Sequence, residues 1–198
     1  MPFALTLITL VAGVALGGVY EITKDPIARQ EAQAKAEAYE QVFTDAAAFE
    51  EIEMDDTLIQ TIRDQLDQEG YKAQSIEEVM RAEDQSGETL GYAFTVVTSE
   101  GYGGDIQFSM GVQNDGTLNG ISILSIGETA GLGMNADTPA FKDQFVGKQV
   151  EKLQYTKNGA TQDDEINAIS GATVTTNAMT NGVNAGLCAF RVMEGGDQ

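Results

Sequence analysis

The chain has 198 residues, a formal net charge of −20, no histidine and one cysteine. Its 42% hydrophobic content excludes a wholly disordered chain, and its length suits one core of about 100–150 residues with accessory segments. The acidity argues against nucleic acid as a partner and against docking of the folded part on anionic lipid, while the absence of histidine excludes His-ligated metal sites and Ser–His or Cys–His catalytic pairs.

Pro2 to Tyr20 carries no charge, and its roughly 19 residues match the hydrocarbon thickness of a bilayer. Gly13, Gly17 and Gly18 leave room for other helices to approach closely. The stretch lacks a basic leader and is long for the apolar region of a signal peptide, which favours an uncleaved anchor. Lys24 and Arg29 follow the span and, by the positive-inside rule, point the body of the protein to the cytoplasm. Glu21 and Asp25 offset both charges.

From Pro26 the composition turns to strong helix formers without a wide apolar stripe, which predicts a stalk helix beginning near Asp25-Pro26. Leu58, Ile62 and Leu66 share one helical face over Thr57 to Glu69, and Gly70 stops that helix. After Glu83 the period becomes two. Leu90 to Thr98, Asp105 to Val112 and Leu118 to Ile126 read as strands, the last two joined through Asp115-Gly116. A short helix follows Thr138, with Pro139 in its first position and Gly147 after its end. Its pattern sends Phe141, Phe145 and Val146 to the core and Asp143, Gln144 and Lys148 to solvent. Thr175 to Met193 places Ala178, Met179, Val183, Leu187 and Phe190 on one helical face. Cys188, in an apolar run, reads as a small core residue. The predicted fold class is α+β: a single N-terminal transmembrane helix, a helical stalk, then a mostly antiparallel sheet packed with helices. The expected divisions are an anchor over 1–23, a stalk with accessory helices over 24–82, and a ligand-binding domain over 83–198.

Two segments carry candidate chemistry. In "AISGATVTTNAM", Ala168 to Met179, hydroxyls cluster where a helix begins. Ser170 or Thr173 can cap that helix, and its free amide groups and dipole suit a phosphate. Gly171 and Ala172 leave room for a bulky group. The plain alternative is an ordinary capped helix. The second segment, "SIGETAGLGMNADTP" from Ser125 to Pro139, runs a strand into a glycine-dense loop. It matches neither the P-loop nor the dinucleotide fingerprint. Its glycines allow backbone to approach a flat ligand, with Leu132 and Met134 as apolar contacts and Glu128 and Thr129 as polar ones; the alternative is a wide turn. "EGYGGDI", around Tyr102, reads most simply as a turn between strands.

Taken together, "VYEITKDPIA", "GYGGDI", "GETAGLGMNAD" and "INAISGATVTT" make the chain resemble the RnfG family, the FMN-binding subunits of the Rnf electron-transport complex. That family is itself similar to NqrC of the sodium-pumping NADH:quinone reductase. The resemblance spans almost the whole chain. It implies a covalent FMN-binding domain over 83–198, with FMN joined through its phosphate to Thr173 by a separate flavin transferase that uses FAD and magnesium. Ser170, Gly171 and Ala172 complete the attachment motif, Glu128, Thr129, Leu132, Gly133 and Met134 contribute to the pocket, and Thr175 is the alternative attachment residue. In one departure, Asn167 stands where the family often carries an acidic residue, with Asp163, Asp164 and Glu165 nearby. The implied role is electron relay in a ferredoxin:NAD oxidoreductase coupled to ion translocation. The implied partners are the other membrane and peripheral subunits, with the flavin domain on the extracytoplasmic side of the cell membrane and residues 2–20 in the bilayer. With no cysteine cluster, iron–sulfur centres would belong to those subunits. Acidic side chains are expected to keep away from the flavin ring. Two other readings are the related quinone reductase protein and a membrane-tethered flavin-binding assembly or sensory module.

Overall fold

A computed structural model describes the backbone of residues 2–196 and the side chains of 5–195. The chain forms two compact units, one up to Glu37 and one from Ala38 onward. The first is the greater part of helix α1, Pro2–Val42. Here Leu5, Leu7, Ile8, Leu10, Val11, Val14, Leu16 and Val19 are all exposed. An 18-residue window of α1 has a mean hydropathy of 1.8 with none of it buried, so α1 is long and apolar enough to cross a membrane. The stalk helix expected to begin near Asp25-Pro26 is instead the continuation of α1, with Pro26 inside the helix. Proline forfeits one backbone donor there, but the helix formers on either side carry the helix through.

The second unit holds a five-stranded sheet in the order β1-β2-β3-β4-β5: β1 Ala48–Glu51, β2 Gln74–Glu83, β3 Thr89–Thr98, β4 Ile106–Gln113 and β5 Leu118–Ser125. Every neighbouring pair is antiparallel. Helix α2, Asp56–Glu69, starts on an Asp55 cap whose Oδ1 accepts the Leu58 amide at 2.7 Å, and ends at Gly70 in the left-handed region. Helix α4, Thr173–Gly196, buries Ala178, Met179, Val183, Leu187 and Phe190 in one cluster with Val79, Phe94, Val96, Phe108 and Met110 of the sheet. At Gly182 a side chain would meet the Phe108 ring at 2.8 Å, and at Gly186 it would meet Met110; this close approach lets α4 lie down on the sheet.

The opposite face is covered by the last turn of α1. Tyr39, Val42 and Phe43 pack with Ala82 and Ala93, and the Tyr39 and Thr95 hydroxyls share a 2.7 Å hydrogen bond. Ser122 Oγ donates to Gln41 Oε1 at 2.8 Å.

Strands β1 and β2 lie in the stretch expected to be helical stalk. In β2 the pairing runs from Ile76↔Val96 to Glu78↔Thr95, so Glu77 is an extra residue in a bulge and the period-two pattern breaks there. The three strands expected from sequence sit within a residue of their predicted limits. Beyond β5, a 3₁₀ turn over Gly133–Asp137 leads into α3, Pro139–Lys142, and a second 3₁₀ turn, Asp143–Phe145. Thr138 holds the N-cap position of α3, but its hydroxyl donates to Asn135 O instead of capping. Phe141 and Phe145 are buried edge to face at 5.4 Å. Val146, expected inside, is 58% exposed, because the helix has already ended and Val146 is extended. Strands β6, Gln154–Thr156, and β7, Glu165–Asn167, form a parallel pair that delivers the chain to α4.

Candidate functional site

Helix α4 begins at Thr173, and its first intrahelical bond runs from the Thr176 amide to Ala172 O at 3.0 Å. The amides of Thr173, Val174 and Thr175 are therefore the free donors of the helix start. The expected caps, Ser170 and Thr173, do not tie down the approach. That work falls to Thr176, whose buried hydroxyl accepts the Ile169 amide at 3.0 Å and donates to Ala172 O at 2.9 Å. The exchange leaves Ser170 exposed and Thr173 half-buried in front of the helix, while Thr175 is 1% exposed.

The glycine-rich loop after β5 folds onto itself through Thr129 O, which accepts the amides of Leu132 (3.1 Å) and Met134 (3.2 Å). It is joined to the 101–104 turn by Glu128. The Glu128 carboxylate is buried, and its Oε1 accepts the Tyr102 amide at 2.7 Å and the Gly103 amide at 3.3 Å. It also touches the space above Gly133: a Cβ there would meet Glu128 Oε2 at 2.5 Å and Thr175 Oγ1 at 2.6 Å. A side chain on Gly133 would therefore wedge the loop away from α4. Gly171 has φ +76°, and a Cβ on it would press on Leu132 at 3.1 Å.

These segments enclose a cleft of about 470 Å³, within the size range of small-molecule and cofactor sites. Of the residues expected at a site, Glu128, Thr129, Leu132, Gly133, Gly171, Ala172, Thr173 and Thr175 line it. Ser170 and Met134 do not. Two further lining residues, Tyr102 and Val174, were not anticipated. The signal for Tyr102 was an aromatic among three glycines, but such a run also describes any turn. Glu128 is the single acidic residue among the ten that line the cleft, in a chain with 31 acidic residues.

Asn167 is tied into the approach to α4. Its Oδ1 accepts the Ala160 amide at 2.7 Å, and its own amide donates to Gln144 Oε1 at 2.6 Å. Glu165 accepts the Thr161 and Gln162 amides, which hold its carboxyl below the ordinary range. Asp164 accepts Gln154 Nε2 at 3.0 Å.

The family model of the FMN-binding domain matches residues 101–187, a span that contains every residue of the cleft, and that of the RnfG N-terminal region matches residues 3–42. The RnfG-type subunit of the Na⁺-translocating ferredoxin:NAD⁺ oxidoreductase complex of Acetobacterium woodii is 32% identical over 189 residues, covering 94% of this chain and 88% of that protein. Its counterpart in the proton-translocating complex of Clostridium ljungdahlii is 28% identical over 192 residues, 97% of this chain and 91% of that protein. The NqrC-type subunit of the Na⁺-translocating NADH-quinone reductase of Pasteurella multocida is 41% identical, but over 80 residues, 36% of this chain and 31% of that protein. Since the identity to the two ferredoxin:NAD⁺ oxidoreductase subunits extends over nearly the full length of both chains, this protein belongs to the RnfG family of Rnf-type ion-translocating ferredoxin:NAD⁺ oxidoreductase complexes.

Proposed function

We propose that this chain is the flavoprotein electron-transfer subunit of such a complex, holding FMN in the cleft at the start of α4 through a phosphoester to Thr173. The observation that carries the reading is the convergence of three separate segments, 101–104, 128–133 and 171–175, on one cleft beside that threonine. The cleft fits the group on three counts: its volume, the glycine positions where a Cβ would close it, and the free amides and dipole of a 24-residue helix facing a phosphate. Bound there, FMN supplies a carrier that takes up and releases one or two electrons. The chain's own residues hold and orient it. The Thr173 hydroxyl is the attachment point, and the helix start offsets the negative charge of the ester. Tyr102, Leu132 and Val174 offer apolar surface to a flat ring, and Glu128 fixes the turn that carries Tyr102. The burial of Thr175 favours Thr173 as the acceptor, since a transferase must reach the oxygen it modifies.

The proposed partners are the other membrane and peripheral subunits and, during maturation, a flavin transferase. Residues 2–20 form the single membrane span, with the domain on the extracytoplasmic side. The opposing charge bias is small: Lys24 is ion-paired to Glu21 at 2.7 Å. Cysteines introduced on the domain and labelled from outside intact cells test this, and full protection would reverse the orientation. The quinone reductase reading is weaker, because identity to the subunits of Pasteurella multocida and Chlamydia pneumoniae covers 36% and 59% of this chain, against 94% and 97% for the two ferredoxin:NAD⁺ oxidoreductase subunits. A sensory module with reversible flavin would lose the cofactor on denaturation.

Intact mass of the chain matured with its transferase is expected to show one FMN adduct. In-gel flavin fluorescence after denaturation is expected to vanish in Thr173→Ala and persist in Thr175→Ala. An unmodified Thr173 peptide from matured protein overturns the assignment.

A further inference from the structure

On the flavin reading above, we propose that Glu100 is a positioning residue, docking the 101–104 turn that carries Tyr102 onto the face of α4 that carries Thr173. Thr173, Asn177 and Asn181 follow one another at every fourth position of α4, so their side chains share one face of the helix. Glu100 Oε2 accepts Asn177 Nδ2 at 3.3 Å and Asn181 Nδ2 at 2.7 Å. The carboxylate thus grips the helix one and two turns past the attachment residue. Asparagine is a poorer helix former than alanine, and here two of them spend donors on the same oxygen. A carboxylate acceptor makes such bonds stronger than neutral ones.

The turn is bound differently to the two walls of the cleft. Toward the glycine-rich loop it is packed backbone to backbone: Glu128 accepts the Tyr102 and Gly103 amides, and a Cβ on Gly103 would run into Gly127 O. Toward α4, the two bonds to Glu100 are the only hydrogen bonds, among the described residues, that join residues 99–104 and 127–137 to the helix. The loop itself also packs on α4, at Gly133 beside Thr175, while the turn depends on Glu100. Tyr102 lines the cleft with its side chain 76% exposed, so burial does not fix its ring and the placing of its backbone decides where the ring stands. Without Glu100 the turn keeps its bonds to Glu128 but loses its hold on α4, and Tyr102 is free to move away from a flavin attached at Thr173.

The test uses the full chain in neutral detergent, with flavin attachment first checked by intact mass. Hydrogen exchange, read on the peptide that spans the 101–104 turn, needs no flavin. Glu100→Ala is expected to speed it roughly tenfold, as hydrogen bonds to a charged group are lost. Glu100→Gln keeps an oxygen for the two asparagines and is expected to change it less than about threefold. Flavin fluorescence supplies the functional readout, since an aromatic ring stacked on the flavin quenches it. Tyr102→Leu removes that ring and sets the full rise. Glu100→Ala is expected to give about half of that rise and to add nothing in the Tyr102→Leu background. A Glu100 with a merely structural role would lower the unfolding midpoint and leave the fluorescence unchanged. Exchange or fluorescence unchanged in Glu100→Ala, equal effects in Glu100→Gln, or additive fluorescence changes in the double variant overturn the positioning role. A chain without flavin at the first check overturns the flavin reading instead, and hydrogen exchange then decides whether Glu100 docks the turn.

Discussion

Glu128 shows how one side chain joins segments that are remote in sequence. Its Oε1 accepts amides 26 and 25 residues upstream, and its Oε2 lies 2.5 Å from where a Cβ on Gly133 would stand. Glu128→Ala leaves two amides without their acceptor and is expected to cost about 2 kcal/mol, the scale of a buried hydrogen bond to a charged group. Glu128→Gln retains an acceptor and is expected to cost less than half of that. Urea unfolding midpoints at constant slope check the order, and equal losses would show that the hydrogen bonds are not what holds the turn. Asn167 invites a different substitution. Asn167→Asp keeps an oxygen for the Ala160 amide but sets its second oxygen against Gln144 Oε1, which is held in place by the Asn167 backbone amide. Under the proposed phosphoester linkage it supplies the acidic residue that the resemblance leads one to expect there, so the initial rate of FMN attachment, followed by intact mass, is expected to rise; a slower rate would show that the asparagine serves this chain better. Thr173 and Glu128 were both legible in the sequence as site candidates, through the motifs they belong to. Tyr102 was not, because what makes it a site residue is a hydrogen bond from its backbone to a loop two strands away, and no local pattern records that.

Among the elements, α4 was the most legible, since its apolar period is regular and its start is marked by small residues and hydroxyls. Strand β2 was the least. Its apolar residues Ile76, Val79, Met80 and Ala82 straddle the Glu77 bulge, and the charged residues between them suit a helix surface as well as a half-exposed strand. The four-residue edge strand β1 is half glutamate. Packing identifies both strands, through the neighbours they pair with. The seating of α4 can be tested at Gly182. Alanine there gains up to about 1 kcal/mol of helix propensity, but its Cβ meets the buried Phe108 ring at 2.8 Å, and overpacking costs about 1–3 kcal/mol. The net expectation is a loss of about 1 kcal/mol by chemical unfolding. The junction of α2 with α4 is tied by Arg191 Nη2, which donates to both Glu69 oxygens at 3.0 Å. Burial raises the Glu69 carboxyl, but hydrogen bonds from Gln65, Arg191 and Cys188 and the Arg191 charge outweigh it and hold the group below the ordinary glutamate value of 4.5. A depressed carboxyl stabilises the fold above its unfolded value, and that contribution is lost as pH falls through the folded one. Arg191→Met is therefore expected to cost about 1 kcal/mol at neutral pH, discounted for the partial exposure of the pair, and to flatten the acid limb of stability against pH below about 4.5. Cys188 sits in the same junction, its thiol pushed up to about 12 by burial and by Glu69. It is expected to resist alkylation at pH 8 in native protein and to react on unfolding.

At the scale of the whole molecule, the division between anchor and domain does not fall where the composition changes. Charge and hydropathy shift near residue 23, yet the domain's packing begins at Ala38, inside the same helix. The reason lies in the sheet. Strands β3 and β4 are buried on both faces, and the face away from α4 is closed by Tyr39, Val42 and Phe43, which are each 3–4% exposed. A Cβ on Gly111 would meet Val42 O at 2.7 Å and the Phe43 ring at 2.9 Å, so the last turn of α1 rests directly on the strand backbone. Burial of one large apolar side chain stabilises by about 1.5–3 kcal/mol, and three together contribute about 5 kcal/mol, comparable to the whole stability of a small domain. A chain beginning at Ala38 is therefore expected to unfold cooperatively with nearly the midpoint of the same domain in the full-length protein. A chain beginning at Thr44 removes those three side chains and is expected to lose most of that stability, with partial unfolding at room temperature by circular dichroism. If the two truncations unfold alike, the last turn of α1 is not part of the domain, and the candidate cleft stands on a sheet stabilised from one side by α2 and α4.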